Sequence, residues 1–196
     1  MGSRDQILAR IKSNKPELID LPQIDTSVFK DEDLDLIKEF IKKVEVVGGN
    51  VVEATSNADV IQQIKANFPD TKNNFSQLKD ADGFNTLNLE TIQNPHELKD
   101  LDVLVLESKI GVAENGSVWL ADDDIPVRVL PFITKHLAVV ITKQAIVAYM
   151  HEAYKKLSET KADYGVFLAG PSKTADIEQS LVIGAHGALS LTIFLK

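Results

Sequence analysis

The sequence predicts an α/β fold: a three-layer arrangement around a largely parallel sheet. Three observations predict it. Short apolar runs at Asp102–Glu107, His136–Thr142, Tyr164–Ala169 and Leu191–Leu195 have the length of buried strands. Segments with helical spacing alternate with them, and alternating strands and helices favour parallel pairing. The chain has 196 residues, 44% apolar and 26% charged, enough for one sizeable domain with a real core.

The elements follow in chain order. Arg4–Ser13 reads as a short amphipathic helix with Ile7, Leu8 and Ile11 on one face. Asn14 and Pro16 end it, and the polar stretch Leu18–Lys30 reads as a linker. A second helix spans Asp33–Val44, with Leu34, Ile37, Ile41 and Val44 at helical spacing and Leu36 and Phe40 beside them. Acidic residues load its start and Lys42 and Lys43 its end, as the helix dipole prefers. Gly48 and Gly49 stop it. Val51–Ala54 is a short strand, and Asn57–Asn67 a third helix with Ala58, Ile61, Ile64 and Phe68 inward. Pro69–Asp100 reads as loops with a short strand and helical turns. After the strand at 102–107 comes a turn-prone stretch from Gly111, then strand-like Ser117–Ala121. Asp122, Asp123 and Asp124 read as an exposed turn, because no calcium loop of glycine and glutamate follows them. Val127–Pro131 is a short apolar segment. A helix is expected over Gln144–Ser158 and another over Thr174–Ile183. Trp119 reads as a core or sheet-face residue. The organisation expected is an N-terminal helical segment and linker over 1–45, then an α/β domain over 46–196.

Bulk properties exclude several function classes. The net charge of −8 and the lack of any basic run beyond Lys42–Lys43 and Lys155–Lys156 argue against nucleic-acid binding. There is no cysteine, so disulfides, thiolate nucleophiles and protein-ligated iron–sulfur clusters are excluded from this chain. No apolar run approaches the ~18 residues of a membrane span. The polar start, Met1–Gln6, lacks a hydrophobic signal region, and a cytoplasmic location is expected.

Two windows concentrate candidate binding groups. In the first, the run Val166–Ala169 feeds into Gly170, Pro171, Ser172, Lys173, Thr174 and Asp176, with Gly184, His186 and Gly187 close behind. One reading is a well-capped helix: Ser172 or Thr174 accepts from a free N–H, and Asp176 and Glu178 suit the dipole. The other is a site in which Ser172, Lys173 and Thr174 face an anionic ligand at a helix start. The acidic residues work against a bare phosphate cradle, and the window is not a Walker sequence. In the second window, Gly111 and Gly116 bracket Glu114 and Asn115. Asn-Gly is a common hairpin turn pair. The alternative is a strained turn that presents the Glu114 carboxylate as nucleophile, base or polar binder. Among the histidines, His186 can line a site, His136 opens a strand, and His96 and His151 read as surface residues. No pair of them has metal-ligand spacing, and no metal site is expected.

These windows, with Leu130–Pro131, His136–Val140 and Ser3–Ile11, resemble the LUD-domain family, in particular its lactate-utilisation protein C group. The resemblance is dense over roughly residues 103–196 and thin between 50 and 100. It implies the fold shared by sugar-phosphate isomerases, class I CoA transferases and formyltetrahydrofolate cyclo-ligases. It also implies a non-cluster subunit or accessory protein of a system that oxidises L-lactate to pyruvate. Two partner proteins would carry the iron–sulfur clusters, and this chain would hold no cofactor. In that setting Glu114, Asn115, Gly116, Gly170, Ser172, Lys173, Thr174, Asp176 and His186 would line a pocket for a small organic or nucleotide-like ligand. The sequence departs from the family at Asn115 and Ser117, where threonines are common, at Lys173 for arginine, and at Ala188 for proline. Residues 114–116 also resemble the catalytic-glutamate segment of class I CoA transferases. The alternative is therefore a stand-alone enzyme acting on an acyl-CoA or a phosphorylated small molecule through Glu114. The N-terminal helix and linker are compatible with a homo-oligomer.

Overall fold

The computed structural model describes residues 2–20, 22, 25–29, 34–81, 83–174 and 182–196. The chain divides into two compact units, Met1–Glu32 and Asp33–Lys196. The first holds helix α1, Ser3–Ser13, in which no residue is buried. Ile7, Leu8 and Ile11 are all exposed.

The second unit is built on a five-stranded sheet. Its strands are β1 (Asn50–Glu53), β2 (Asn74–Ser76), β3 (Val103–Glu107), β6 (His136–Ile141) and β9 (Ser190–Leu195). They lie in the order β1-β9-β6-β3-β2, and every neighbouring pair is parallel. Side chains alternate across it, as a pleated strand requires. Val103, Val105, Ala138, Val140 and Phe194 face α3 (Asn57–Asn67), meeting its Val60, Ile61 and Ile64. Leu104, Leu106, Leu137, Val139, Ile141, Leu191, Ile193 and Leu195 face the other way, onto Phe40 and Val44 of α2 (Leu36–Val46). Helix α2 thus contributes to the core of the α/β unit.

Both helices begin where the sequence caps them. Asp35 accepts the Lys38 N–H at 3.2 Å, and Ser56 accepts the Asp59 N–H at 3.1 Å. The stretch 69–102 carries β2 and two 3-10 turns, Leu89–Thr91 and Pro95–Leu98.

Parallel strands need crossover connections. Here the two central crossovers are filled largely by a second sheet, in the order β7-β4-β5-β8. Its strands are β4 (Gly111–Val112), β5 (Ser117–Ala121), β7 (Ile146–Val147) and β8 (Gly165–Leu168). Short helix α4 (Leu130–Ile133) precedes β6, and α5 (Met150–Leu157) follows β7. Trp119 of β5 faces Phe167 of β8, its register partner, with ring centroids 4.7 Å apart. The sheet closes there because residue 165 is glycine: a Cβ would overlap the Trp119 ring.

Two expectations are corrected. The helix expected over Gln144–Ser158 starts only at Met150. Before it, Ile146 and Val147 are buried and pair with Gly111 and Val112. A β-branched pair gains more from that edge than from another helical turn. The acidic turn is not uniformly exposed. Asp122–Asp124 forms a 3-10 turn whose last carboxylate, Asp124, is 7% exposed and paired with Lys109 at 2.9 Å. Of the helix expected over Thr174–Ile183 only the ends are described, and they pair antiparallel. Lys173 bridges Ile183, and the Thr174 N–H donates to the Val182 carbonyl at 3.1 Å. Residues 175–181, including Asp176, lie outside the described residues.

Candidate functional site

The Glu114 window folds as a tight connection between β4 and β5. Gly116 has φ of 70°, a conformation that favours glycine, and a Cβ there would stand 2.6 Å from the Val44 nitrogen of α2. The Asn115 side chain accepts the Ser117 N–H at 3.0 Å, an Asx turn that closes the connection. The Glu114 backbone continues the pairing with β7, donating to the Ala148 carbonyl at 2.9 Å. Its side chain is exposed and accepts the Met150 N–H at 2.9 Å. Met150 opens α5, so the carboxylate caps that helix from across the sheet. Glu152 acts similarly, accepting the Ala148 N–H at 3.0 Å.

The second window is a folded-back arm. Gly170 turns the chain after β8 with φ of 71°, against the Val47 carbonyl at the end of α2. The Ser172 N–H donates to the Ala188 carbonyl at 2.8 Å, and the Gly184 N–H to the Ser172 carbonyl at 3.0 Å. The Thr174 hydroxyl bonds the Val182 backbone, accepting its N–H at 3.2 Å. The N–H groups of Ser172 and Thr174 are therefore spent within the arm and are not open to an anion. The Lys173 ammonium donates to the Val47 carbonyl, a cation at the carboxyl end of α2, where the dipole favours it. Both windows thus pack on one feature, the last turn of α2.

A cleft of about 260 Å³ lies beside the arm. Gly170, Ser172, Lys173 and His186 line it, with Phe132, Leu137 and Phe167 supplying apolar wall. Gly187 keeps it open next to Ser172, since a Cβ would come within 3.0 Å of the Ser172 Cβ. It opens near the starts of β6 and β9, at the amino edge of the parallel sheet. Glu114, Asn115, Gly116 and Thr174 are not among its lining residues. The structure therefore brings four of the expected residues together and sets four apart, while Asp176 falls outside the described residues. An apolar wall with a hydroxyl, an imidazole and an ammonium suits a small ligand with one polar end.

At the opposite edge lies a cleft that sequence reasoning missed. Its volume is about 340 Å³, and it sits over the carboxyl ends of β3, β6 and β9. Glu107, Ser108, Lys109, Asp124, Thr142 and Lys196 supply its polar lining, over Val140, Ile141 and Ala145. The Lys196 ammonium donates to the Asn57 side-chain oxygen at 2.7 Å and stands 3.4 Å from Glu107. Asp124 accepts from Lys109 at 2.9 Å and from the Ala121 N–H at 3.2 Å. The hydrogen bond to Asp124 raises the Lys109 pKa, against the pull of desolvation. A charged residue directly after an apolar strand, as in Glu107 after Val103–Leu106 and Lys196 after Leu191–Leu195, is the signal that marks this edge.

At the amino edge, Asp102 ties three segments together. Burial would raise its carboxyl, but the Lys135 ammonium at 2.6 Å and the N–H groups of Lys72 and Asn73 hold it at about 2. His136 shares a 2.8 Å hydrogen bond with Ser190, its register partner, and stacks on Phe68. Burial lowers its pKa. Among the described residues no group of three or more histidines and carboxylates stands ready to hold a metal ion, and no helix is long and apolar enough to cross a membrane.

Comparison with known proteins places this geometry in a family. Residues 69–195 match the LUD domain. A lactate utilization protein C from Oceanobacillus iheyensis is 33% identical over 98 residues, 46% of this chain and 42% of that protein. One from Geobacillus sp. WCH70 is 36% identical over 92 residues, 43% of this chain and 38% of its own length. One from Macrococcus caseolyticus aligns more widely, 25% identical over 164 residues, 81% of this chain and 70% of that protein. The matched stretch is thus less than half the length of the first two relatives. A crystal structure of a DUF162-family protein from Deinococcus radiodurans superposes with a TM-score of 0.64 at 16% identity, covering 82% of this chain and 96% of the other, and supports the fold. With the family match spanning well over half its length, the chain belongs to the LUD-domain family.

Proposed function

We propose that this chain serves lactate utilisation as a subunit or accessory protein of a system that oxidises L-lactate to pyruvate. The observation that carries the reading is the LUD domain over residues 69–195, with relatives named lactate utilization protein C. Oxidising the lactate C–OH to a ketone releases two electrons and two protons, so an electron acceptor is required. A chain without cysteine has no thiolates to ligate an iron–sulfur cluster. The proposal assigns the clusters to two partner proteins, and to this chain the binding of a small organic or nucleotide-like ligand. The cleft lined by Ser172, Lys173 and His186 supports that role, because it joins an apolar wall to a few convergent polar groups.

The acyl-CoA reading through Glu114 has weaker support. One oxygen of that carboxylate is engaged at the start of α5, which explains the residue as a cap. Hydroxylamine trapping after incubation with acyl-CoAs tests it: a trapped glutamyl adduct, lost in Glu114→Ala, would revive it. For the leading reading, lactate-dependent dye reduction is measured with the two iron–sulfur partners, with and without this chain. Reduction that needs the chain supports the proposal; an equal rate without it refutes it.

A further inference from the structure

We infer that β8 is a pairing edge: two copies of this chain join antiparallel along Gly165–Leu168, and the second sheet runs on across a two-fold axis. The inference does not rest on the lactate reading.

The other sheet edges are managed. Unpaired N–H and C=O groups on an edge strand invite another strand, and proteins block them with side chains, charge or short strands. At the β2 edge Asn85 and Thr86 do so. The Asn85 side chain accepts the Ser76 N–H at 2.6 Å and donates to the Ser76 carbonyl at 2.9 Å. The Thr86 hydroxyl accepts the Asn74 N–H at 2.8 Å, and the Thr86 N–H donates to the Asn74 carbonyl at 3.0 Å. At the β1 edge Glu53 carries charge, paired with Lys143 at 2.7 Å, and the Gln63 side chain donates to the Glu53 carbonyl at 3.1 Å. Strand β7 has only two residues.

Strand β8 has none of these devices. Its four residues, Gly165, Val166, Phe167 and Leu168, include no charge and no proline. It pairs with β5 alone. The Asp122 N–H donates to the Tyr164 carbonyl at 3.1 Å, which sets the alternation of the antiparallel ladder. Tyr164, Val166 and Leu168 turn their backbone groups to β5, and Gly165 and Phe167 turn theirs away. Among the described residues those outward N–H and C=O groups have no partner. Apolar surface continues beside them. Phe167 meets exposed Tyr154 edge-on, with ring centroids 5.8 Å apart, and Ala169 is exposed.

A second copy fits this edge better than a foreign strand of arbitrary sequence. A two-fold axis through Phe167 places that residue opposite its own equivalent, and Gly165 opposite the equivalent of Ala169. The outward groups of Gly165 and Phe167 are then all satisfied, aromatic rings meet across the axis, and small residues face small ones. The chain is acidic overall, at −8, yet this edge brings no like charges together. Phe167, Leu168 and Ala169 also line the arm cleft, so the paired strand lies along the side of that cleft.

The test is sedimentation equilibrium of the full chain, joined to residue-resolved amide exchange over a range of concentrations. A mass of two chains is expected. As the dimer forms, the amides of Gly165 and Phe167 should slow by about tenfold or more, and those of Val166 and Leu168, already in the ladder, should slow less. Phe167→Lys puts a charge on the axis and should leave a folded monomer. A chain that stays monomeric, a dimer in which Gly165 and Phe167 exchange as in the monomer, or a folded Phe167→Lys that associates as tightly would overturn the proposal. Protection of the two amides only on adding a different protein would give the edge to that protein and overturn it too. If Phe167→Lys does not fold, exchange in the unaltered chain decides alone.

Discussion

Replacing Asp102 by asparagine should cost stability at neutral pH and almost none in acid. The carboxylate is nearly buried, with its side chain 14% exposed, and accepts from Lys135 and from the Lys72 and Asn73 N–H groups. Those donors outweigh desolvation and hold it at about 2, against an ordinary value of 3.8. A folded value below the unfolded one means that folding favours the charged form. The stabilisation is complete above pH ~4 and is lost as pH falls toward 2. A gap of nearly two pH units corresponds to about 2 kcal/mol at pH 7. In a chain of this size that shifts Tm by roughly 4–8 °C. Asp102→Asn keeps the shape and one acceptor oxygen, so the charge-dependent part is what it removes. The assay is urea unfolding of both proteins between pH 2 and pH 7. The wild-type advantage should shrink steadily below pH 4 and vanish near pH 2. An advantage independent of pH, or none at pH 7, would refute the assignment.

Three further outcomes follow from packing. Gly165→Ala places a Cβ in the Trp119 ring and should destabilise the second sheet by about 1–3 kcal/mol, seen as a lower Tm and a shifted tryptophan emission. Phe40→Ala empties a fully buried position between α2 and the parallel sheet and should cost about 3–5 kcal/mol in chemical unfolding. Glu114→Ala removes the acceptor at the start of α5 and should cost about 1 kcal/mol of stability, with no loss of lactate-dependent dye reduction.

The centre of the parallel sheet was legible because β3 and β6 carry uninterrupted apolar runs, which burial on both faces demands. Val103–Leu106 and Leu137–Ile141 are of this kind, and the structure places them side by side. Helix α3 was legible in its bounds, Asn57–Asn67, and in the inward Ile61 and Ile64, but Ala58, expected inward, is exposed, and Val60 is buried in its stead. The second sheet was legible only in part: Ser117–Ala121 and Tyr164–Ala169 read as strands, but the latter counts toward the parallel sheet in the sequence and instead pairs antiparallel with β5. Its strands β4 and β7 have two residues each, too short for any period to show. Ile146 and Val147 fit a helix as well as a strand until Gly111 and Val112 are known to lie beside them. In the arm, local composition and distant pairing compete. Ser172, Thr174 and the acidic residues after them have the composition of a helix start. The backbone of Ser172 and Thr174 is claimed by Val182, Gly184 and Ala188, partners eight or more residues away. The cleft at the carboxyl edge escaped notice because its members, Glu107, Asp124, Thr142 and Lys196, come from four distant places in the chain. Each alone reads as a surface residue, and only the closure of the sheet makes them neighbours.

The central proposal is that this chain takes part in lactate oxidation, and titrating it into the two proposed iron–sulfur partner proteins tests that most directly. Pyruvate formed from L-lactate is measured together with acceptor reduced. The account predicts a rate that rises with added chain, saturates at a fixed ratio to the partners, and yields one pyruvate per electron pair. A rate unaffected by the chain would contradict it.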